Sequence, residues 1–264
     1  MKILKPRYRP ENFFPLLAEA PARALLLDYD GTLAPFRLER DEAVPYPGVR
    51  EALDALIEAG HTRTAVISGR ATQDLLPLLG LRHTPEIWGT HGWERRGADG
   101  RYRVASLPPA ALEALEALVA RLGKAGLEGR WERKPASVAL HWRGLPEAAA
   151  GEMREEMVGF WEGLADRSRL ALKPFDGGIE LSVVGRDKGF AVRTILEELG
   201  NDAVVAYLGD DLTDEDAFAA LGESGLSVLV RGELRETAAD WWLEPPGELL
   251  DFLERWNAAC GEAP

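Results

Sequence analysis

The chain of 264 residues has a single cysteine, Cys260, so no disulfide can form within it. This scarcity favours a reducing, cytoplasmic location. Apolar runs of signal-peptide or membrane-spanning length are also lacking. Positive charge is in deficit, with 31 Lys and Arg against 44 Asp and Glu and a formal net charge of -13, so the surface repels nucleic acid and anionic membranes. We expect a cytoplasmic protein with a small-molecule partner; oligomeric state is not predicted.

What the chain does contain is two short acidic runs, residues 28–32 and residues 209–214, each directly behind an apolar run typical of a buried parallel strand. In open α/β sheets, ligands bind beyond the carboxyl ends of the strands, so both runs are expected at one crevice. Two like charges ~5 Å apart repel by roughly 3 kcal/mol at an effective dielectric constant near 20. Carboxylates crowded in this way call for a cation, and their hard oxygens favour Mg²⁺.

The first part of the chain reads as alternating strands and helices. Apolar spacing predicts a helix over residues 47–59, a strand over 64–67, a helix from Ala71 and a strand over 86–88. Together with the strand before Asp28, this is the βαβαβ start of a doubly wound sheet. The alternation resumes late in the chain, where the predicted elements are a helix over 188–199, a strand before Asp210, a helix over 214–221, a strand over 226–230 and a helix over 248–259.

The middle of the chain has a different pattern of two helices and two strand pairs. The helices are predicted over 109–122 and 146–165, and the strands over 130–134, 137–143, 170–173 and 179–183, with a hairpin turn at Asp176-Gly177. The predicted fold class is therefore α/β, a Rossmann-like doubly wound parallel-sheet core with an inserted α+β cap domain. The predicted boundaries are 1–98 and 185–264 for the core and 99–184 for the cap.

Asp28 ends its strand and is the candidate nucleophile, since a carboxylate can attack phosphorus to form an aspartyl-phosphate. Asp30 reaches the same space after the turn at Gly31 and is the candidate general acid and base. A helix N-cap or Asx-turn explains this run equally well when it is taken alone.

Two further positions favour phosphate binding. Ser68 follows a strand, and its hydroxyl with the Gly69 amide would hold a phosphate oxygen, although an N-cap is the simpler explanation of Ser-Gly-Arg alone. Lys188 opens a helix, where the helix dipole disfavours a cation, so a phosphate clamp explains it better than helix stability does.

Asp210, at a strand end, is the better metal ligand of the second acidic run. Asp214 remains open between a metal role and a helix-capping role. Glu215 and Asp216 are explained by the helix N-terminus that they occupy.

The order of these motifs resembles the haloacid dehalogenase-like (HAD) phosphatase superfamily. Within it, residues 27–35, Ser68-Gly69-Arg70, residues 207–218, Glu132-Arg133-Lys134 and His141-Trp142-Arg143 resemble the trehalose-6-phosphate phosphatases. The resemblance implies Mg²⁺ held by Asp28, the Asp30 backbone carbonyl and Asp210, with Asp211 and Asp214 close by. It also implies phosphate binding by Thr32, Ser68, Gly69, Arg70 and Lys188, and substrate binding by His91, Glu132, Lys134, His141, Arg143 and Glu180.

The sequence departs from that family at two places. Thr90-His91-Gly92 stands where the family usually has Asn-His-Gly, and Glu180-Leu181-Ser182 replaces the usual Glu-hydrophobic-Arg-Pro, so only Glu180 carries over.

Strand alternation in the insert places five residues of the substrate-binding set on one open sheet face, opposite the helices: Glu132, Lys134, His141, Arg143 and Glu180. A solvated polar face is the alternative, and it is favoured when the resemblance is left aside.

These observations predict a Mg²⁺-dependent phosphatase, most simply one that releases trehalose from trehalose 6-phosphate. Three alternatives stay open: a phosphatase for sucrose, glucosylglycerol or mannosylglycerate phosphates, a phosphomutase that shields phosphorylated Asp28 from water, and a silent regulatory domain. Retention of every ionisable core-motif residue argues against the last.

Overall fold

A computed structural model describes residues 1–37, 39–127, 129–142, 144–168, 170–175 and 177–261. The chain divides into two compact units. The first consists of Met1–Arg103 and Asp187–Pro264, and the second of Val104–Arg186. The second unit is therefore an insertion between two halves of the first.

The elements follow one another in three groups. Up to the insertion they are β1 (Lys2–Ile3), α1 (Pro10–Glu19), β2 (Ala22–Leu27), α2 (Val49–Ala59), β3 (Arg63–Ile67), α3 (Thr72–Leu79), β4 (Glu86–Gly89), β5 (Glu94–Arg96) and β6 (Tyr102–Val104). Those of the insertion are α4 (Pro109–Lys124), β7 (Trp131–Lys134), β8 (Ser137–His141), α5 (Glu147–Ser168), β9 (Leu170–Phe175) and β10 (Gly178–Val183). The last group is α6 (Lys188–Leu199), β11 (Ala203–Gly209), α7 (Glu215–Leu221), β12 (Leu226–Val230), β13 (Trp241–Leu243) and α8 (Gly247–Gly261).

The first unit is built on a nine-stranded sheet in the order β1-β13-β12-β11-β2-β3-β4-β5-β6. The strands from β13 to β4 pair in parallel, and β1 and β5 pair antiparallel to their neighbours. Sequence-distant β2 and β11 lie side by side, with Leu27 opposite Leu208. This register brings the two acidic runs together at the carboxyl ends of adjacent strands.

Both faces of this sheet are covered by helices, which is why its strands are apolar throughout. Leu25 and Leu27 pack into a core cluster with side chains of α1, α2, α3 and α8, whereas Leu26 packs on the other face with those of α6 and α7. The α/β class with a large parallel sheet and a separate antiparallel sheet is confirmed. The predicted bounds of α6 and β12 agree with the structure, and α1 was not predicted.

The second unit contains an antiparallel sheet in the order β7-β8-β10-β9. Ala139 lies opposite both Glu132 and Glu180, so these two carboxylates share a sheet face, as alternation predicts. The predicted strand 137–143 ends at His141 in the structure, although the backbone amide of Trp142 still donates to the carbonyl of Gly177 at 2.9 Å. Asp176 of the predicted hairpin turn lies outside the described residues.

None of the described helices combines the length and the apolar character needed to cross a membrane.

Candidate active site

A buried ion cluster lies at the carboxyl ends of β2 and β11. Asp28 follows β2, and its backbone amide donates to the carbonyl of Leu208 at 2.8 Å, which continues the pairing of the two strands. Lys188, the first residue of α6, donates from Nζ to Asp28 Oδ1 at 2.6 Å and to Asp214 Oδ1 at 2.7 Å. All three side chains are almost inaccessible to solvent. The buried lysine at a helix N-terminus is thus explained by two carboxylates.

Asp214 is fully occupied as a hydrogen-bond acceptor. Its Oδ1 accepts from Lys188 and from the Tyr207 hydroxyl at 2.6 Å. Its Oδ2 accepts from the backbone amides of Asp210 and Asp211, at 3.1 and 3.0 Å. A carboxylate has about four lone-pair sites, and four donors use them. Asp214 therefore holds the loop after β11 and orients Lys188. The same carboxylate caps the backbone of this loop and takes part in the ion cluster.

The carboxylate of Asp210 is bonded less completely than that of Asp214. Its Oδ1 is buried and has no hydrogen-bond partner among the residues that the structure describes. Asp28, Asp210 and Asp214 each offer one carboxylate oxygen within 4.8 Å of the others. A buried polar atom without a partner is costly, and hard oxygen ligands suit Mg²⁺. The donor set therefore fits a divalent cation held by Asp28 and Asp210.

The electrostatics of the cluster reflect its excess of negative charge. Burial raises the pKa of Asp28 to about 7, opposed by Lys188 and reinforced by Asp214. Burial also raises the pKa of Asp210 to about 10, with the charges of Asp28 and Asp214 adding to the effect. For Lys188, burial lowers the pKa, but the charges of Asp214 and Asp28 outweigh it and raise the pKa above its ordinary value. A bound cation would supply the missing positive charge.

Asp30 and Arg70 form a bidentate ion pair. Arg70 donates from Nε to Asp30 Oδ2 at 2.7 Å and from Nη2 to Asp30 Oδ1 at 2.6 Å. Arg70 is buried, whereas the Asp30 side chain is 29% exposed. Arg70, predicted as a phosphate ligand, thus binds the candidate acid in this conformation.

Ser68 does not cap a helix, so the simpler explanation of its motif is wrong. The next helix, α3, has Ala71 as its N-cap residue, and the Ser68 hydroxyl instead accepts from the Arg70 amide at 3.1 Å. Thr32 donates from its hydroxyl to Asp28 Oδ2 at 3.2 Å. The Asp28 carboxylate contacts Lys188 and Thr32. Both hydroxyls therefore lie at the strand ends beside the ion cluster.

Gly31 and Gly69 are positions where an added Cβ would displace a neighbouring side chain. A Cβ on Gly31, which has φ +86°, would lie 2.1 Å from Asp210 Oδ2. A Cβ on Gly69 would lie 2.7 Å from Nε2 of His91. The backbone therefore approaches Asp210 in one loop and the predicted substrate ligand His91 in the other.

In the second unit, Lys134 and Glu180 form an ion pair, with Nζ 3.1 Å from Oε1. The Ser137 hydroxyl donates to the same carboxylate oxygen at 2.5 Å. His141 and Glu132 approach each other at 3.6 Å, between Nε2 and Oε2. Lys134 and Glu180 are buried, which differs from the solvent-exposed face predicted for them, because they turn toward each other and Ser137. Arg143 of the predicted set lies outside the described residues.

Sequence reasoning missed three residues that hold these groups. Tyr207 binds Asp214, Glu94 accepts four hydrogen bonds beside Thr90, and Arg235 donates to the carbonyl oxygens of Asp210 and Asp211. Tyr207 is the first residue of the motif at 207–218. A hydroxyl group inside a predicted buried strand needs a hydrogen-bond partner, and this was the signal that could have identified Tyr207. Glu94 and Arg235 carried none: Glu94 accepts from Thr72, 22 positions away, and Arg235 donates to Asp210, 25 positions away.

Asp211 and Glu215 also have partners. Arg235 donates to the carbonyl of Asp211 at 2.8 Å and to the carboxylate of Glu215 at 2.5 Å, and the Ala238 amide donates to Glu215 at 2.8 Å. Glu215 thus joins a distant loop to the helix that it opens.

Comparisons with known proteins agree with this geometry. The family model described as trehalose-phosphatase matches residues 26–243. A trehalose-phosphate phosphatase of Mycobacterium marinum is 33% identical over 253 residues, covering 89% of this chain and 61% of that protein. The chain thus spans about three fifths of the length of this relative.

Solved structures show the same fold. The trehalose-6-phosphate phosphatase of Aspergillus fumigatus aligns with a TM-score of 0.66 at 25% identity, covering 96% of this chain and 99% of that one. A haloacid dehalogenase-like hydrolase from Bacteroides thetaiotaomicron aligns with a TM-score of 0.65 at 18% identity, covering 89% and 99%, which is a likeness of fold alone. The resemblance inferred from the motifs is confirmed, and since the family model matches more than half of its length, the chain belongs to the trehalose-phosphatase family.

Proposed function

We propose that this protein is a Mg²⁺-dependent phosphatase that hydrolyses trehalose 6-phosphate to trehalose and phosphate. The observation that supports it best is the buried cluster in which one ammonium group pairs with two of three carboxylates, while Oδ1 of the third, Asp210, has no hydrogen-bond partner among the described residues. Family membership and the names of the relatives supply the substrate.

In the first half of the proposed reaction, an oxygen of Asp28 attacks phosphorus while the bond from phosphorus to the sugar oxygen breaks. Asp30 donates a proton to that leaving oxygen, and Asp28 becomes an aspartyl-phosphate. Both oxygens of Asp30 accept from Arg70 in this structure, so the acid role requires Arg70 to move away. Lys188, already bonded to Asp28, orients the nucleophile.

In the second half, Asp30 takes a proton from water, and the water oxygen attacks phosphorus. The bond between phosphorus and Asp28 breaks, phosphate leaves, and Asp28 returns as a carboxylate while Asp30 is again protonated. The ion pair with Arg70 presents Asp30 as an acceptor, which suits this base step.

Asp28 and Asp210 would hold Mg²⁺, together with the backbone carbonyl of Asp30 and with Asp211 close by. The ion, when bound, neutralises charge on the phosphoryl group. Asp214, with four donors, supports this site by fixing the backbone of Asp210 and Asp211. Ser68, Gly69, Thr32 and Lys188 are the proposed phosphate ligands, and positioning of this kind is the main requirement of phosphoryl transfer.

We assign sugar recognition to the second unit. Lys134, Glu180 and Ser137 share one hydrogen-bonded group on the sheet face that also carries Glu132 and His141. Paired carboxylates and cations of this type suit the donor and acceptor pattern of sugar hydroxyl groups.

The test is phosphate release from trehalose 6-phosphate, compared with sucrose 6-phosphate and with the phosphates of glucosylglycerol and mannosylglycerate. We expect trehalose 6-phosphate to have the highest kcat/KM and chelator to abolish release. A higher kcat/KM for another of these sugar phosphates would show that trehalose 6-phosphate is not the preferred substrate. Isomerisation of a sugar phosphate without free phosphate would make it a mutase.

Glu180→Ala separates sugar recognition from phosphate chemistry. Losing a hydrogen bond from a charged group costs roughly 1.5–3 kcal/mol, so kcat/KM for trehalose 6-phosphate should fall about ten- to a hundredfold. Hydrolysis of p-nitrophenyl phosphate, which has no sugar, should hardly change. Glu116→Ala, at an exposed position in α4, is the control in the same unit and should leave both rates unchanged. Equal losses on both substrates would assign Glu180 to the fold instead.

A further inference from the structure

A strained turn follows β4 at the carboxyl end of the sheet. Among the described residues other than glycine, only Thr90 and His91 have positive φ, at +48° and +52°. Thr90 is β-branched, a side-chain type that this backbone region strongly disfavours, and Gly92 continues the left-handed run at φ +93°. Such strain persists only where surrounding contacts maintain it, and it concentrates at functional sites.

The turn is bonded to the loop that contains Ser68 and Gly69. The Thr90 amide donates to the Arg70 carbonyl at 2.8 Å, and the His91 amide donates to the Ser68 carbonyl at 3.0 Å. These two bonds set the imidazole of His91 against Gly69, where a Cβ would come within 2.7 Å of Nε2. The shape of the turn therefore determines where His91 lies relative to the Ser68–Gly69 backbone.

The Glu94 carboxylate accepts hydrogen bonds from this turn and from the first residue of α3. The carboxylate is buried, and Oε2 accepts from the Thr72 amide at 2.7 Å and from the hydroxyls of Thr72 and Thr90, each at 3.2 Å. Oε1 accepts from the Tyr102 hydroxyl at 2.8 Å. All of these donors are neutral, so the carboxylate acts as a multiple acceptor rather than as one half of an ion pair.

The contact between Glu94 and the start of the turn is also close. A Cβ on Gly89 would lie 2.3 Å from Glu94 Oε2 and 2.6 Å from the Thr72 hydroxyl. Gly89 therefore lets the backbone approach the carboxylate directly before the strained residues. The carboxylate thus contacts the turn at both Gly89 and Thr90.

We propose that Glu94 is a positioning residue of the phosphatase: through Thr90 it holds the strained turn that places Gly69 and His91 at the phosphate. The inference rests on the proposed function for the role of Gly69, and it adds a residue that does not itself touch substrate. Its loss should loosen phosphate binding and slow turnover on every phosphate ester alike.

The decisive variant is Glu94→Ala, assayed well below its unfolding temperature. We expect kcat/KM to fall at least tenfold on both trehalose 6-phosphate and p-nitrophenyl phosphate, and the inhibition constant of inorganic phosphate to rise at least threefold. Glu94→Gln keeps one acceptor oxygen and the side-chain volume, so it should recover a large part of both losses.

Asp240→Ala is the matched control. Asp240 is also a buried multiple acceptor, bonded to the amide and hydroxyl of Ser227 at 3.0 and 2.8 Å and to Arg7 at 2.8 Å. Ser227 is the second residue of β12, at the end of the strand away from the ion cluster. This variant should lower the unfolding temperature but leave the phosphate inhibition constant unchanged.

Equal behaviour of the Glu94 and Asp240 variants at matched stability would overturn the inference. If Glu94→Ala does not fold, Thr90→Val, which removes only the hydroxyl, must raise the phosphate inhibition constant, and an unchanged constant would equally overturn it. Wild-type protein that releases no phosphate from trehalose 6-phosphate would remove the proposed function alone. Calorimetric titration of wild type and the variants with inorganic phosphate then decides the role of Glu94.

Discussion

Two charged clusters in the first unit use similar residues in opposite ways. The candidate active-site cluster consists of Asp28, Asp210, Asp214 and Lys188, with three carboxylates and one cation. The edge cluster consists of Arg63, Glu86, Arg95 and Glu198, with two of each sign. In the edge cluster, Arg63 donates to Glu86 at 2.9 Å and to Glu198 at 2.6 Å, and Arg95 donates to the same two carboxylates at 2.8 and 2.6 Å.

The difference lies in charge balance and burial. Lys188 and Asp28 are each 4% exposed and Asp214 is fully buried, whereas Arg95 and Glu198 are 32% and 39% exposed. In the partly exposed cluster, the four charged groups pair with one another. Hydrogen bonds from Arg95 lower the pKa of Glu198 to about 2, and Arg63 adds to this shift while burial opposes it. In the described part of the chain, the buried cluster keeps one carboxylate oxygen, Asp210 Oδ1, without a hydrogen-bond partner. A balanced network stabilises a fold, whereas a buried excess of one sign indicates a site for a ligand of the other sign.

Asp28→Asn should have the largest effect. The amide keeps the size of the side chain but cannot attack phosphorus, so kcat should fall at least about a thousandfold, to the background rate. The measurement is phosphate release at saturating trehalose 6-phosphate with Mg²⁺ present. A variant that kept a sizeable share of wild-type turnover would show that the covalent mechanism is wrong.

Asp210→Asn should exchange stability for function. Removing the carboxyl group abolishes the proton uptake that folding requires at this position, so in chelator the unfolding temperature should rise by a few degrees, which for a chain of this size corresponds to about 1 kcal/mol. The Mg²⁺ concentration needed for activity should increase at least about tenfold, because the ion loses a charged ligand. Calorimetric melting with and without Mg²⁺ checks both halves. A lower unfolding temperature in chelator would contradict the conclusion that the buried carboxyl group of Asp210 destabilises the metal-free fold.

The free energy of unfolding of the metal-free protein should depend on pH because of the same Asp210 carboxyl group. The pKa of Asp210 is raised from 3.8 to about 10, so the folded protein retains a proton that the unfolded chain releases. Because the native state binds more protons, the free energy of unfolding should fall as pH rises from about 4 toward 10. Saturating Mg²⁺ should flatten this slope, and so should Asp210→Asn. Urea unfolding across this pH range, in chelator, measures it.

Glu198→Gln should have the smallest effect, and of the opposite sign. It removes one carboxylate of a balanced network, so the free energy of unfolding at pH 7 should fall by about 0.5–1 kcal/mol, with kcat unchanged. The folded-state pKa lies near 2, below the ordinary value of 4.5. The stabilisation is therefore complete above about pH 4.5 and is lost as pH falls toward 2. Stabilisation by this substitution would remove the contrast between the two clusters.

The sequence by itself determined most of the elements, with α1, β1, β5, β6 and β13 as exceptions, and the end of the sheet at which the candidate site lies. The buried strand before Asp28 and the one before Asp210 are continuous apolar runs, and parallel strands that are covered on both faces require them. Alternation placed Glu132 and Glu180 on one sheet face, which the register confirms. These features follow from local periodicity, which a single sequence displays directly.

Only the tertiary structure decided which charged groups pair. Lys188 and Asp28 are 160 positions apart in the chain, and Lys134 and Glu180 are 46 apart. Arg70 pairs with Asp30, and Glu94 accepts from Thr72 and Tyr102, although nothing in the spacing of these residues indicates it. Partner choice among buried polar groups is settled by which donors the packed backbone brings within about 3 Å, and this depends on the whole fold rather than on any window of sequence.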